Sequence, residues 1–267
     1  VQTKYDLLIC SYGVTSANCG DLSVIDGVEG TVSYDPDSKT LTLEGAKLNT
    51  EYRSIESGID GLTIKVSGTN ELKAENSAAV TIGAPATITG GGTLNAEGRE
   101  NCAIYAEGTD LTIKDCIVNA KGVYGITGRN GSTEKLLISK ATVTAEGREG
   151  SICDFKEITL EDCVITQPAG AEFDESMKAV VLNGEVVTSE VKIEPVTEYK
   201  LWIAGTQVTS ANCDDLSAIN GVSGTVKYDP VAKVLTLQDA IINIEDGHGI
   251  YSEVKGLIIK LIGTNKL

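Results

Sequence analysis

Residues 5–49 of this chain align without a gap to residues 199–243, and 27 of the 45 aligned positions are identical. The run VTSANC, at 14–19 and 208–213, lies inside the match. GLTIKVSGTNEL (61–72) then recurs as GLIIKLIGTNKL (256–267) after a shift of one residue. A duplicated module is the consequence. The expected organisation is a first copy over 1–198 and an incomplete second copy over 199–267, with the natural protein continuing past Leu267.

A shorter period runs inside the first copy. The segments TLTLEGAKLN, GLTIKVSGTNEL, ATITGGGTLNAEG, DLTIKDCIVNAKG, KLLISKATVTAEG and EITLEDCVITQ line up. Their central apolar residues are Leu43, Ile64, Ile88, Ile113, Ile138 and Leu160, spaced by 21, 24, 25, 25 and 22. Second short strand-like runs (SAAVTI, CAIYAE, YGITG, SICDF) fall between them. A unit this small cannot bury its own apolar face, so successive units must stack as a solenoid. Composition agrees: 29 Gly against two Phe and one Trp suits β-strands, tight turns and a narrow interior. The leucine-rich repeat, the rival at this period, is missing its L-x-x-L-x-L-x-x-N signature. The expected fold is an all-β, right-handed parallel β-helix, the hand following from the crossover rule, with rungs ~4.8 Å apart. Exposed ends need covering. Residues 5–40 read as an N-terminal cap whose hairpin turns at Asp35-Pro36-Asp37-Ser38. Residues 178–193 read as a C-terminal hairpin around Asn183-Gly184, a two-residue turn signal.

The formal charge of −16 argues against nucleic acid, which needs clustered Lys and Arg, and disfavours an anionic membrane surface. No apolar run approaches the length needed to cross a membrane. The chain begins VQTKYD, without an initiator Met or a signal peptide, and so reads as a mature or trimmed fragment.

Stacking turns sequence columns into contacts. Glu97, Lys121 and Glu146 form one column of alternating sign, and Asp115, Lys140 and Asp162 another, as expected for ion-pair ladders. Continuing the first column through Glu75 and Glu51 stacks three like charges with Glu97, which makes these three glutamates weak calcium candidates. No cofactor is implied. The column Ala46, Cys116, Ala141, Cys163, Ala240 exchanges Cys for Ala at one small position. Cys116 and Cys163 lie two rungs apart, too far for a disulfide, so the seven cysteines read as free, buried thiols, with Cys19 and Cys213 filling a small buried pocket.

Catalytic resources are thin. His248 is the only histidine and sits in a turn, which leaves a seryl or cysteinyl triad unsupported. Arg99 and Arg148 occur in two copies of AEGRE, two rungs apart. For binding, Tyr105 and Tyr251 each follow an inward Ile and should point outward, in a column with Glu56, Thr81, Thr127 and Cys153 that forms no continuous aromatic track. Tyr124, Arg99 and Arg148 stand on a neighbouring edge, and with Tyr105 they make up the candidate ligand-binding set.

The wording VTSAN…GVxGTVxYDPxxKxLTLxxA followed by LTIKxxGTN resembles the β-helix repeat modules, of pectate-lyase-like superfold, in secreted and surface proteins of anaerobic bacteria. Modules of this type are labelled carbohydrate-binding or adhesin-like. The resemblance implies a secreted or cell-surface location and a polysaccharide or host-glycan partner, and it transfers no catalytic residue. Three readings follow: a non-catalytic glycan-binding module, a structural stalk or adhesin segment with protein partners, and a degenerate polysaccharide lyase or hydrolase. Self-association through the open β-helix end near Leu267 is a further expectation.

Overall fold

A computed structural model describes residues 2–244 and 246–267. The chain is all-β, with 60% of residues in strands and almost no helix. It divides into two compact units, Val1–Pro195 and Val196–Leu267.

In the first unit the chain winds through three stacked parallel sheets. The first contains residues 40–44, Leu62–Ser67, Ala86–Thr89, Leu111–Lys114, Lys135–Ser139 and Glu157–Glu161. The second stacks 47–50, Thr69–Ala74, 93–98, 117–122 and 142–147. The third stacks Ile55–Ser57, Val80–Ile82, 104–106, 126–128 and 152–153. Side chains alternate in and out along each strand, so inward positions form columns. Leu41, Ile64, Ile88, Ile113 and Ile138 stack directly and are wholly buried. Burying each such side chain contributes ~1.5–3 kcal/mol.

Two registers differ from those the sequence spacing suggests. Leu41, not Leu43, stacks on Ile64, and Leu43 stacks on Val66. Likewise Glu97 faces Lys73, which faces Asn49; Glu75 and Glu51 belong to a different position. A slip of two residues keeps every inward side chain inward, so hydrophobic alternation does not distinguish these registers. The corner between the first and second sheets does. There a single left-handed residue turns the strand: Gly45 at φ 57°, Gly68 at 62°, Asp115 at 51°, Lys140 at 49° and Asp162 at 52°. Gly45 and Gly68 each follow their partners Leu43 and Val66 by two residues, which locks the pairing. The later corners carry side chains where glycine would be strain-free, and Lys140 lies 3.7 Å from Asp162.

The GTN motif has a specific job. Asn70, fully buried, accepts a hydrogen bond from the Ala46 N–H at 2.9 Å and donates to the Ser67 and Thr93 carbonyls at 3.1 Å each. One amide thus ties three successive rungs together.

Both ends of the first unit are capped. Val28–Asp35 runs antiparallel to Thr40–Thr50, and Lys4–Ile9 runs antiparallel to Ile55–Ser57. The turn between the first pair is held by Asp35, whose carboxylate accepts from the Asp37 N–H and the Ser38 hydroxyl. At the far end Asn183 and Gly184, both left-handed, join Ala179–Leu182 to Glu185–Val186 in a hairpin. The remainder of the 178–193 segment does something else: Val191–Pro195 inserts antiparallel between 143–145 and Cys163–Gln167, closing the second sheet.

The second unit repeats the cap and first rung. Val222–Asp229 pairs antiparallel with Val234–Ile242, which pairs in parallel with Ile258–Ile262, Leu235 on Ile259 and Leu237 on Leu261. The two VTSANC turns are superimposable in their bonding. The Asn18 side chain accepts from the Thr15 N–H at 2.7 Å and Asn212 accepts from the Thr209 N–H at 2.7 Å, while the carbonyls of Cys19 and Cys213 accept from Tyr34 and Tyr228 N–H. The motif is a cap turn.

Replacing Asn70 by Ala strands one buried N–H and two carbonyls. Urea unfolding of Asn70→Ala is expected to show a loss of about 3 kcal/mol, a much larger effect than surface substitutions produce.

Candidate functional site

The outward columns of the second sheet are polar. One reads Lys47, Glu71, Asn95, Asn119, Thr144; the other, two residues along each strand, reads Asn49, Lys73, Glu97, Lys121, Glu146. From Glu71 and Lys73 onward they floor a depression of about 480 Å³, bounded at one side by Glu190. It shares Glu71 and Lys73 with a larger depression of about 800 Å³ beneath the cap segment 23–29. It shares Glu97, Lys121 and Glu146 with a smaller one of about 230 Å³ that holds Arg99, Arg148 and Thr188. The result is one trough running across the rungs.

Parallel stacking places like residues in contact along this trough. The Asn119 amide donates to the Asn95 side-chain oxygen at 2.8 Å. Among the described residues the outer N–H groups of Asn95 and the Asn119 oxygen take no further partner, so each amide has bonding capacity left over. Lys121 donates to Glu146 at 2.9 Å. That hydrogen bond, more than any other influence, holds the lysine above its ordinary pKa, with Glu97 and Glu190 adding to it. Lys73 lies 3.9 Å from Glu97. Exposed pairs of this kind add little stability, but they leave a trough lined with alternating donors and acceptors and close to neutral, within a chain of net charge −16.

Of the four residues the sequence singles out, the structure brings two together. The Arg148 guanidinium donates to the Arg99 carbonyl at 3.2 Å and lies 3.6 Å from Glu100. Arg99 bonds Glu75 at 2.8 Å, which raises its pKa. Both arginines stand at the rim of the trough. The tyrosines do not join them as a stacking pair. Tyr105 is half-buried on the third sheet, between Thr81 and Thr127. Tyr124 packs against Cys153, Ala179, Val181 and Val186, beneath the C-terminal hairpin. Its hydroxyl donates to Glu149 at 2.6 Å, and that bond, reinforced by burial, pushes its pKa up to about 12. The expected outward column Glu56, Thr81, Tyr105, Thr127, Cys153 exists, but Thr81, Thr127 and Cys153 within it are buried.

The calcium candidates separate. Glu97 is opposite Lys73, Glu75 is bonded by Arg99, and Glu51 accepts from the Asn76 amide at 3.5 Å. Among the described residues no three carboxylate, His or Cys side chains converge as a metal-binding group. Comparison with protein-family models, with curated proteins and with solved structures finds no match for this chain.

The amide column was readable in advance: TLNAEG, IVNAKG and TVTAEG line up Asn95, Asn119 and Thr144 at one outward position. Its neutral amides are a quieter signal than the aromatic and arginine residues nearby. The walls of the trough carry no such signal, because the 23–29 loop and Glu190 reach it from distant parts of the chain.

All seven cysteines are free, and all but Cys19 are buried. Burial is the main cause that raises Cys116 and Cys153 to about 12 and Cys10 and Cys102 to about 11, which leaves these thiols without nucleophilic thiolate at neutral pH. An aromatic disulfide reagent at pH 8 is expected to label Cys19 in the native protein and the other six only after unfolding. Rapid labelling of several thiols in the folded state would contradict the burial described.

Proposed function

We propose that this chain is a non-catalytic glycan-binding module of a secreted or surface-exposed bacterial protein, and that the trough on the second sheet cradles an extended polysaccharide. One observation carries the reading: an open polar trough that runs across five rungs and offers a pair of polar side chains at each. A polysaccharide is itself a periodic, mostly neutral chain of hydroxyl groups. A surface repeating every ~4.8 Å with spare amide donors and acceptors engages such a polymer by many weak bonds instead of one deep pocket. The near-neutral field of the trough suits a neutral or weakly acidic glycan better than the acidic surface around it. The sequence wording resembles modules labelled carbohydrate-binding or adhesin-like, and the first of these labels agrees with this reading. The degenerate-enzyme reading draws little support from this site, where Glu97 and Glu146 are paired with Lys73 and Lys121 instead of being poised for proton transfer.

A glycan array that includes pectins and other plant polysaccharides tests the reading. Binding to an extended glycan is expected, with Asn95→Ala/Asn119→Ala and Lys121→Ala each weakening it about tenfold, the loss of one or two good hydrogen bonds, at unchanged melting temperature. Silence across the array would abandon the glycan reading.

A further inference from the structure

On the second unit the strands Thr206–Thr209, Glu198–Ile203 and Ile250–Ser252 form one antiparallel sheet, in which Trp202 sits opposite Gln207 on one side and Tyr251 on the other. Leu201 and Ile203 are wholly buried, so alternation sends Trp202 outward. The indole and phenol centroids are 5.2 Å apart, and the His248 ring lies 6.1 Å from that of Tyr251 at an interplanar angle of 21°. The only tryptophan and the only histidine of the chain thus both lie against one tyrosine. Trp202 is partly exposed, Tyr251 is 45% exposed and His248 is exposed. The rim is polar: the Tyr251 hydroxyl donates to Glu253 at 2.8 Å, and Lys200 lies 3.6 Å from the same carboxylate.

The first unit supplies an internal control. The same register there pairs Gly13, Leu8 and Glu56, and Arg53, the sequence counterpart of His248, is ion-paired with Glu56 at 2.7 Å. All four positions differ between copies whose aligned stretch is otherwise 27 parts in 45 identical. The fold does not require the aromatics, since the first copy makes the same pairing without them.

We propose that Trp202, Tyr251 and His248 form a second glycan site, a stacking platform for a single hexopyranose unit, with Glu253, Lys200 and Gln207 meeting its hydroxyls. A pyranose has an apolar face of C–H groups and a polar edge. The platform presents flat aromatic faces beside a carboxylate, an ammonium and an amide, which is the complement. A quaternary ammonium ligand calls for a cage of rings on several sides, whereas here Trp202 and Tyr251 are cross-strand neighbours on an open sheet. A nucleic-acid base would stack as well, but its phosphates meet a chain of net charge −16. The proposal shares the glycan reading given for the trough and uses none of its residues.

Because Trp202 is the sole tryptophan, intrinsic emission of the full chain reports this site and not the trough. Titration with methyl glucosides, methyl galactosides and N-acetylglucosamine is expected to give a saturable emission change with at least one of them. Tyr251→Glu, the first copy's residue at that position, is expected to weaken binding at least tenfold while leaving the melting temperature in place. The trough variants Asn95→Ala/Asn119→Ala are expected to leave this titration unaltered, so the two sites fail or hold separately. The absence of a saturable response to every sugar, an undiminished response in Tyr251→Glu, or a response only to choline or nucleotides would each overturn the platform.

Discussion

Everything in the first unit depends on the hydrogen bonds that each rung makes to the rungs before and after it. A single rung buries almost nothing. Once stacked, the inward column of Leu41, Ile64, Ile88, Ile113 and Ile138 becomes continuous and dry, and the same ladder that forms it decides which outward residues meet. Strand pairing therefore sets both the core and the surface chemistry. The devices that protect pairing are correspondingly specific. Left-handed corner residues fix where each strand ends, and Asn70 straps three rungs through its amide. Antiparallel strands at both ends occupy edges that would otherwise recruit other chains.

The outer surface shows what such a scaffold makes available for binding. Stacking repeats a side-chain type at a fixed interval, so the Asn95–Asn119 contact and the Lys121–Glu146 pair are products of the repeat as much as of any local choice. A trough of this kind offers breadth and periodicity in place of depth. The cluster of Trp202, Tyr251 and His248 is built differently, by replacing residues on a rung whose inward side is unchanged. Inside and outside can diverge independently because adjacent residues on a strand face opposite ways.

Much of this architecture was legible from sequence. The period predicts the solenoid, and the exchange of Cys with Ala correctly marks Cys116, Ala141 and Cys163 as one small buried position. Glu97, Lys121 and Glu146 stack as expected, and within that column Lys121 and Glu146 close an ion pair while Glu97 lies nearest Lys73. Reasoning from alternation failed where a two-residue slip leaves burial unchanged, at Leu43 and at Glu51 and Glu75, because only the corner geometry separates those registers. It also failed where distant segments meet. Tyr124 reads as an exposed aromatic until the 179–186 hairpin lies over it. Trp202 and Tyr251 are far apart in the chain and become neighbours only through antiparallel pairing in the cap, which a repeat alignment does not display.

The direction of the inter-rung hydrogen bonds has a mechanical consequence. In the first unit they point along the stacking axis, so a pull along that axis loads them end-on instead of in shear. Bonds loaded this way open singly from the end of the stack, and each freed turn releases 22 to 25 residues of slack, the spacing between its later strands. Under load this unit would yield gradually and pay out chain, with no single breaking event, which is the behaviour of a shock absorber.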